Sequence, residues 1–382
     1  MKNKYALCIF FLVLLLCGSC VERYTPPAII AAESYLVVEG FINSGSEPTT
    51  FTLSRARTQA NPNNFIPEEN AQVAIEGENG ERYSLAEQNA GSYTSTPLNL
   101  NPATRYRIHI RTTHDKEYAS DYVNVKITPP IDSITYSVEQ DGVQLYVTTH
   151  DPENTTRYYR WDAEETWEYV SAFFSNSMYK DKQMFYRYDD DLIFTCWRSD
   201  RTKELYLGSS ARLTDDVIYR QPITFTPAIS GKLIEKYSIL VKQYALSQQG
   251  FEYWQILEKN TETTGSIFDA QPSQLQGNIR CLTNPQEPVI GFVDASSVQQ
   301  KRIFIDGGFL PFRTPNIGYE SCELDTVPNS PQFLEEKFAD GYFIPVFPIA
   351  STSGIVAYTY SFKQCVDCRE KGGTTIKPDF WQ

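Results

Sequence analysis

Residues 71–95, AQVAIEGENGERYSLAEQNAGSYTS, contain three short runs of alternating apolar and polar side chains, separated by two turn signals. The runs lie at residues 71–75, 83–86 and 91–95, and the turns are Glu78-Asn79-Gly80 and Asn89-Ala90-Gly91. A repeat of two residues is typical of a strand with one buried face, and glycine-containing turns join such strands into hairpins. This stretch therefore predicts three antiparallel strands in succession, and it decides the fold class.

The same pattern continues on both sides of this stretch. Four further alternating runs lie at residues 35–42, 49–54, 105–111 and 117–126. Seven short strands at roughly 10-residue spacing are typical of an antiparallel sandwich. Thr128-Pro129-Pro130 follows as an extended linker, because proline fixes φ and has no backbone N–H to pair in a sheet. We therefore expect an immunoglobulin-like β-sandwich over residues 35–128.

The rest of the chain also follows strand patterns, with one exception. Alternating runs recur at residues 133–138, 143–149, 158–169, 204–209, 223–226, 237–246, 289–293 and 302–305. The exception follows Ser247, which can cap a helix that repeats large apolar residues at Phe251, Trp254 and Leu257. We expect a mainly β chain, with a larger β-rich domain over residues 131–382. This domain would contain one or two short helices, one of them near residues 247–259, and a cysteine-containing tail.

The composition is acidic and rich in rings. The 382 residues carry a formal net charge of −13, from 47 Asp+Glu against 34 Lys+Arg. Nucleic-acid binding depends on Lys and Arg that neutralise phosphates, so this balance argues against a nucleic-acid partner. The only histidines are His109, His114 and His150, which leaves few groups for a zinc site or a catalytic triad. We expect no metal and no cofactor, whereas aromatic residues, at 14% of the chain, can fill a core and still supply a surface.

The N-terminus predicts export and lipidation. Lys2 and Lys4 precede an apolar run at residues 6–16, and Gly18-Ser19-Cys20 follows. A short cationic start, an apolar stretch and small residues are typical of a secretory signal, and the stretch is too short to span a bilayer core of ~30 Å. The Gly-Ser-Cys ending resembles a bacterial lipobox, in which the cysteine is acylated. We therefore expect a lipoprotein signal peptide at residues 1–20, lipidation of Cys20, and a tether at residues 21–34.

Five cysteines remain after the signal peptide, and all are disulfide candidates in an oxidising compartment: Cys196, Cys281, Cys322, Cys365 and Cys368. Five is an odd number, so at most two bridges form within one chain. Cys365-Val366-Asp367-Cys368 has the C-x-x-C spacing of redox sites and of half a zinc site. No helical pattern follows this pair, which favours structural disulfides that hold the tail.

Candidate binding residues surround an acidic turn. Tyr186, Tyr188 and Trp197 flank Asp189-Asp190-Asp191 outside any clean alternating strand, so these rings are expected at the surface. Rings of this kind often dominate the energy of an interface. The three aspartates are oxygen ligands that Ca²⁺ can use, but consecutive residues cannot all converge in an extended chain, and a solvated loop is favoured.

Two further groups of residues have a functional and a structural interpretation. Glu164, Glu165 and Glu168 include carboxylates of the kind that hydrolyse glycosides, yet a strand directs residues 164 and 165 to opposite faces. A run of rings either forms a stacking platform or packs in the core, which alternation on a strand favours for most of them. These rings are Tyr158, Tyr159, Trp161, Trp167, Tyr169, Phe173 and Phe174.

Several stretches, in this order, carry a family resemblance. They are LVVEG at 36–40, YYRW at 158–161, YSILVKQY at 237–244, GSIFD at 265–269, QGNI at 276–279, KRIF at 301–304, CVDCR at 365–369 and KPDFW at 377–381. The chain resembles the Bacteroidetes outer-membrane lipoproteins of domain-of-unknown-function family 4249. The resemblance implies attachment to the cell outer membrane through the N-terminal lipid and a place beside TonB-dependent, SusC-like transporters. It carries over no catalytic residue.

The sequence therefore leads to one functional expectation and two alternatives. We expect a non-catalytic binding or accessory subunit of a TonB-dependent nutrient-uptake complex, with the outer membrane and a TonB-dependent receptor as partners. A secreted hydrolase acting on a glycan or a peptide is one alternative. A structural scaffold of an outer-membrane complex is the other.

Acylation of Cys20 is tested by the Cys20→Ala substitution. Without the thiol that receives the lipid, the protein should appear in a soluble fraction or remain unprocessed. The two or three acyl chains that would anchor it firmly are then missing. Fractionation of cells followed by mass measurement of the mature N-terminus checks this. A Cys20→Ala protein that is cleaved and still sediments with membranes would contradict the lipoprotein prediction.

Overall fold

The computed structural model describes residues 35–56, 66–202, 204–262, 277–312 and 318–382. The predicted signal peptide at 1–20 with Cys20, the tether at 21–34 and the stretch at 265–269 lie outside the described residues. Strands dominate the described chain, which confirms the mainly β fold class. None of the helices in these ranges is both long and apolar enough to cross a bilayer.

The N-terminal region consists of short antiparallel strands. The order β10-β8-β5-β6-β7-β3-β1 contains the meander that residues 71–95 predict, as β5, β6 and β7. The core beneath it includes Phe51, Tyr93 and Tyr106, which are almost completely buried. The strands are β1 (Tyr35–Gly40), β2 (Ile42–Asn43), β3 (Pro48–Ala56), β4 (Ile66–Pro67), β5 (Gln72–Gly77), β6 (Arg82–Asn89), β7 (Ser92–Pro97), β8 (Arg105–Arg111), β9 (Glu117–Ser120) and β10 (Val123–Lys126).

A second group of sheets follows. One sheet has the order β11-β12-β18, a second has the order β16-β13-β19-β23 with β17 also paired to β13, and β14 and β15 form a hairpin. The strands are β11 (Ile131–Val138), β12 (Gly142–Asp151), β13 (Tyr158–Val170), β14 (Ser177–Lys180), β15 (Gln183–Tyr186), β16 (Thr195–Arg201), β17 (Tyr206–Ser209), β18 (Asp216–Pro227), β19 (Lys236–Ala245), β20 (Ile279–Cys281), β21 (Val289–Ile290), β22 (Ala295–Ser296) and β23 (Val298–Asp306).

Three of these later strands join the N-terminal sheet. Strand β21 pairs in parallel with β1, β22 pairs in parallel with β2 and β10, and β20 pairs with β9. Gly291 follows β21 at φ 143°, and a Cβ there would lie 2.3 Å from the carbonyl oxygen of Val38, so only glycine permits this approach. Strands from before and after the linker at residues 128–130 thus share one sheet, because residues 279–296 add strands to the sheet that begins at residue 35.

The C-terminal part contains the remaining strands and two short helices. Strands β25 and β24 both pair with β26, and helix α2 packs Leu334 and Phe338 against this sheet. The elements are β24 (Asp325–Pro328), β25 (Phe343–Ser351), β26 (Gly354–Phe362), and the helices α2 (Pro331–Phe338) and α3 (Lys363–Val366). A longer helix, α1 (Gln248–Glu262), lies earlier in the chain, between β19 and β20. Short 3-10 helices are η1 (Asp189–Asp191), η2 (Ala228–Ser230), η3 (Gly307–Phe309) and η4 (Cys368–Lys371).

Helix α1 confirms the helix predicted near residues 247–259. The hydroxyl of Ser247 accepts a hydrogen bond from the Gly250 N–H at 3.0 Å, as a helix cap requires. Phe251 is buried against the Tyr158 ring at 5.0 Å between centroids. Trp254 lies with its ring 4.6 Å from the guanidinium carbon of Arg160 on β13. The apolar side of the helix therefore packs against the second group of sheets.

A buried ion cluster joins β20–β21 to the N-terminal strands. The Glu287 carboxylate accepts hydrogen bonds from Tyr118 at 2.6 Å and from Lys116 at 2.6 Å, and the Arg55 guanidinium lies 3.2 Å away. Arg55 also pairs with Glu68 at 2.5 Å. Although burial opposes it, these donors and positive charges hold the pKa of Glu287 below its ordinary value. The cluster therefore stabilises the pairing of this segment with the N-terminal strands most when Glu287 is ionised.

We expect Glu287→Gln to lower the free energy of unfolding by ~3 kcal/mol at neutral pH, because it removes one charge from a buried network. Because the folded pKa lies below the ordinary value of 4.5, the contribution is present above pH 4.5 and is lost as the pH falls through the folded value. Denaturation in urea at a series of pH values checks this, with Glu336→Gln on the exposed side of α2 as the matched control. If the free energy of unfolding of the wild type fell no more steeply at acidic pH than that of Glu287→Gln, the role assigned to the Glu287 carboxylate would be contradicted.

Candidate functional site

The structure separates the three predicted binding rings. Tyr186 ends β15 and Tyr188 precedes η1, and both are exposed, at 54% and 74%. Trp197 lies in β16 and is half-buried beside the tail, where its backbone exchanges hydrogen bonds with Thr374 at 2.8 and 3.0 Å. Within the described ranges, no hydrogen bond or ring contact joins Trp197 to either tyrosine. Tyr186 and Tyr188 are therefore surface rings as expected, whereas Trp197, also expected at the surface, is half-buried in a strand.

The three glutamates of β13 do not form a carboxylate pair. Glu165 is buried and binds Lys232 at 2.5 Å, whereas Glu164 lies 3.8 Å from Arg201. Glu168 accepts a hydrogen bond from the indole of Trp381 at 2.9 Å. Each carboxylate thus has a different partner, and the neighbours Glu164 and Glu165 do not act together, as the alternation along a strand predicts for these two.

The acidic turn is solvated. Asp189, Asp190 and Asp191 form the 3-10 turn η1, and none of them is buried. Among the described residues, no group of three or more His, Cys, Asp or Glu side chains is placed to hold a metal ion.

A cavity of about 390 Å³ opens where the C-terminal tail meets β13 and β16. Trp167 of β13 lies directly opposite Arg198 of β16, so both side chains are on the same face of the sheet. Tyr169 lies two residues further along on that face, and Tyr319 and Lys371 complete the wall from the C-terminal part of the chain. We call this cavity, defined by these five residues, the tail pocket.

Cations in the tail pocket rest on aromatic rings. The Lys371 ammonium lies 3.3 Å from the centroid of Tyr319, and the Arg198 guanidinium lies 5.6 Å from that of Trp167. Lys232, just outside the pocket, lies 4.8 Å from the Trp167 ring. Such contacts position a cation without neutralising it. Burial lowers the pKa of Lys371, which indicates a partly desolvated ammonium.

The hydroxyl of Tyr319 is buried, with no hydrogen-bond partner in the part of the chain that the structure describes. Burial raises the pKa of Tyr319 to about 12, so the phenol keeps its proton at neutral pH and can donate. Buried polar atoms almost always have a partner, and none of the described residues supplies one for this hydroxyl. The hydroxyl of Tyr169, by contrast, donates to the Cys368 carbonyl at 2.9 Å.

Two disulfides hold the walls of the tail pocket. Cys368, at the start of η4, is bonded to Cys196 of β16, and Cys365 of α3 is bonded to Cys322. The Cys322 N–H also donates to the Tyr319 carbonyl at 3.0 Å. The two cysteines of the C-x-x-C segment therefore bond to different partners, and the remaining thiol, Cys281, is buried and free.

Sequence reasoning identified part of this site. Trp167 and Tyr169 were among the rings with two interpretations, and the structure places both in a pocket wall that is also the edge of the core. Tyr159 and Trp161 are completely buried, so core packing explains them. No sequence pattern predicted a functional role for Arg198, Tyr319 or Lys371. The one feature they share in the sequence is a position two or three residues from a cysteine.

The comparisons with known proteins give one family and weak structural likenesses. The model described as Domain of unknown function (DUF4249) matches residues 21–302, which include Trp167, Tyr169 and Arg198 but end before Tyr319 and Lys371. A comparison with curated proteins finds no match.

Among solved structures, the chain is similar to a DUF4785 family protein from Legionella pneumophila subsp. pneumophila str. Philadelphia 1, at 9% identity and a TM-score of 0.17, covering 55% of this chain and 51% of that one. It is also similar to native E. coli alpha-2-macroglobulin, at 10% identity and a TM-score of 0.19, covering 58% of this chain and 14% of that one. The chain thus spans about half of the first protein and a small part of the second. With TM-scores this far below 0.5, neither likeness indicates a shared fold.

We expect the double substitution Cys196→Ser, Cys368→Ser to lower the free energy of unfolding by about 2–5 kcal/mol, because the bridge closes a loop between residues 172 apart. Urea denaturation checks this, and Cys281→Ser, which breaks no bridge, is the control for the loss of a buried thiol.

In denatured, unreduced mature protein we expect one titratable thiol, that of Cys281. Three or more thiols would contradict the two bridges.

Proposed function

This chain belongs to the domain-of-unknown-function family DUF4249, and we propose that it is a non-catalytic binding subunit, lipid-anchored to the outer membrane and accessory to a TonB-dependent nutrient-uptake complex. The observation that carries the binding role is the tail pocket. Its size is within the range of ~300–1,000 Å³ that small-molecule sites occupy. The lipid anchor is proposed on the signal sequence and Cys20, and the receptor on the family resemblance.

The chemistry of the tail pocket supports binding. Its polar groups are a guanidinium, an ammonium and phenols, which donate hydrogen bonds and attract charge. Burial raises the pKa of Tyr319 to about 12, far from the neutral range in which a general acid or base is efficient. The Lys371 ammonium lies 3.3 Å from the centroid of the Tyr319 ring, a contact that can hold a cation in place.

A separate surface supports docking to a larger partner. Phe174 and Phe347 are exposed, with ring centroids 6.4 Å apart. The Asn176 N–H donates to the Val346 carbonyl and the Arg187 N–H to the Asn176 carbonyl, which brings the segment of Tyr186 and Tyr188 beside this pair. We call Phe174, Tyr186, Tyr188 and Phe347 the ring surface. Exposed rings grouped in this way are typical of protein–protein contacts.

We expect the double substitution Tyr186→Ala, Tyr188→Ala to reduce co-purification of a TonB-dependent receptor from outer membranes at least fivefold. Both side chains are largely exposed, so the melting temperature should stay nearly unchanged. Mass spectrometry of the proteins recovered with the tagged lipoprotein measures this. Trp197 is left unchanged because it packs beside the tail.

The matched control is Tyr136→Ala, Tyr219→Ala. These tyrosines are exposed to similar extents, 44% and 76%, but lie on β11 and β18. They should leave receptor recovery unchanged. Recovery of other outer-membrane proteins without a receptor would favour the scaffold, and turnover of a glycan or peptide library that one carboxylate substitution abolishes would favour the hydrolase.

A further inference from the structure

We infer that the outer face of β13, β19 and β23 is a recognition site for a segment of another protein that carries two adjacent aromatic rings. Residues 380–382 of this chain's own tail occupy the site and compete with that segment. We call Glu168, Lys236, Arg302 and Phe304 the dipeptide site. The inference goes beyond the proposed function and does not rest on it.

The dipeptide site lies on the face of the sheet opposite the tail pocket. Ser238 of β19 lies opposite Thr166 of β13 and Phe304 of β23, so these side chains share one face. The other three members of the site lie two residues along a strand from one of these positions, which puts them on the same face. Trp167 of the tail pocket adjoins Glu168 in the sequence and therefore points to the other face.

Side chains of the dipeptide site contact both rings of Phe380-Trp381. The guanidinium carbon of Arg302 lies 3.5 Å from the centroid of the Phe380 ring, which is a cation–π contact. The Trp381 ring meets Phe304 edge to face, with centroids 5.5 Å apart. Its indole N–H donates to Glu168 at 2.9 Å, and Trp381 is 5% exposed. The site thus fits two rings, of which the second can donate a hydrogen bond.

A main-chain contact follows the two rings. The Lys236 ammonium donates to the main-chain carbonyl of Gln382 at 2.5 Å. This bond needs a carbonyl one residue after the second ring and does not depend on the side chain there. The four groups of the site therefore fit a ring, a ring with an N–H, and a carbonyl, in that order. An aromatic segment of a polypeptide supplies this order.

The tail is attached to β16 before it reaches the dipeptide site. Cys368 is bonded to Cys196, and Thr374 exchanges two main-chain hydrogen bonds with Trp197. Within the described residues, no strand pairs with residues 375–382. Residues 380–382 can therefore leave the site without breaking a disulfide or a strand pairing, as weakly attached segments of folded proteins do.

The attached tail is an internal competitor. A segment on a short tether has an effective concentration of about millimolar at its own site, so a segment of another molecule binds weakly while the tail is in place. The formal net charge of −13 makes two copies of this chain repel each other. The charge therefore favours a different protein, rather than a second copy, as the source of the competing segment.

Calorimetric titration of the full-length mature protein in detergent tests the inference. The probe is the acetylated peptide Lys-Pro-Asp-Phe-Trp-Gln, which has the sequence of residues 377–382. We expect Phe380→Ala, Trp381→Ala to bind the peptide about tenfold or more tightly than the wild type does, because the competing rings are removed. A control peptide with alanine in place of both rings should bind neither protein.

Equal affinity of the wild type and the double variant, or no binding by a folded double variant, would overturn the inference. If the circular-dichroism spectrum shows that the double variant is unfolded, Phe380→Ala carries the same comparison, since that ring is 36% exposed. Wild-type dimers that the loss of these rings abolishes would assign the site to tail exchange between two copies and would overturn a separate partner.

Substitutions in the wall locate the binding. In the background of the double variant, Glu168→Ala should weaken peptide binding about fivefold or more, because it removes the acceptor of the indole N–H. Asp162→Ala, on the same face of β13 but six residues away, is the matched control and should leave the affinity unchanged. Unchanged affinity in Glu168→Ala, or equal weakening by Asp162→Ala, would overturn the site.

Discussion

The attachment of the C-terminal tail by two disulfides is the constraint on which the tail pocket depends. Cys365 and Cys368 are three residues apart, yet one bonds to the loop after Tyr319 and the other to β16. A C-x-x-C pair closed on itself would leave both walls free to separate. Cross-links to two different elements bring Lys371 against Arg198 and Tyr319 and restrict the chain segments that carry these side chains.

The N-terminal sheet depends on a distant segment in a comparable way. Strands β20, β21 and β22 pair with strands from the beginning of the chain, and Glu287 is buried between Arg55, Lys116 and Tyr118. Arg55, Lys116 and Tyr118 would lose this buried partner if the segment around residue 287 were not in place. Residues 35–126 therefore do not form a complete sandwich by themselves. At the linker, residues 128–130, the chain passes from the N-terminal sheet to another sheet. The regions before and after it remain joined through the pairing of β20, β21 and β22.

Cations held on rings are a recurrent device in this protein, and they explain part of its high aromatic content. The guanidinium of Arg160 lies 4.6 Å from the rings of both Tyr244 and Trp254, where it fastens α1 to the second group of sheets. In the tail pocket the same kind of contact places Lys371 on the ring of Tyr319 and Arg198 near the ring of Trp167. The same type of interaction thus occurs in the packing of α1 and in the proposed binding pocket.

The sequence by itself determined the local elements. The two-residue alternation predicted the meander at 71–95, Ser247 with Phe251 and Trp254 predicted helix α1, and five cysteines limited the chain to two bridges. Period and capping depend on neighbours within a few residues, which any sequence shows. Only the tertiary structure decided which cysteines pair, that residues 279–296 close the first sheet, and that Arg198, Tyr319 and Lys371 meet at one cavity. Those contacts join residues 43 to more than 200 positions apart, and no local pattern records which distant surface a side chain will face.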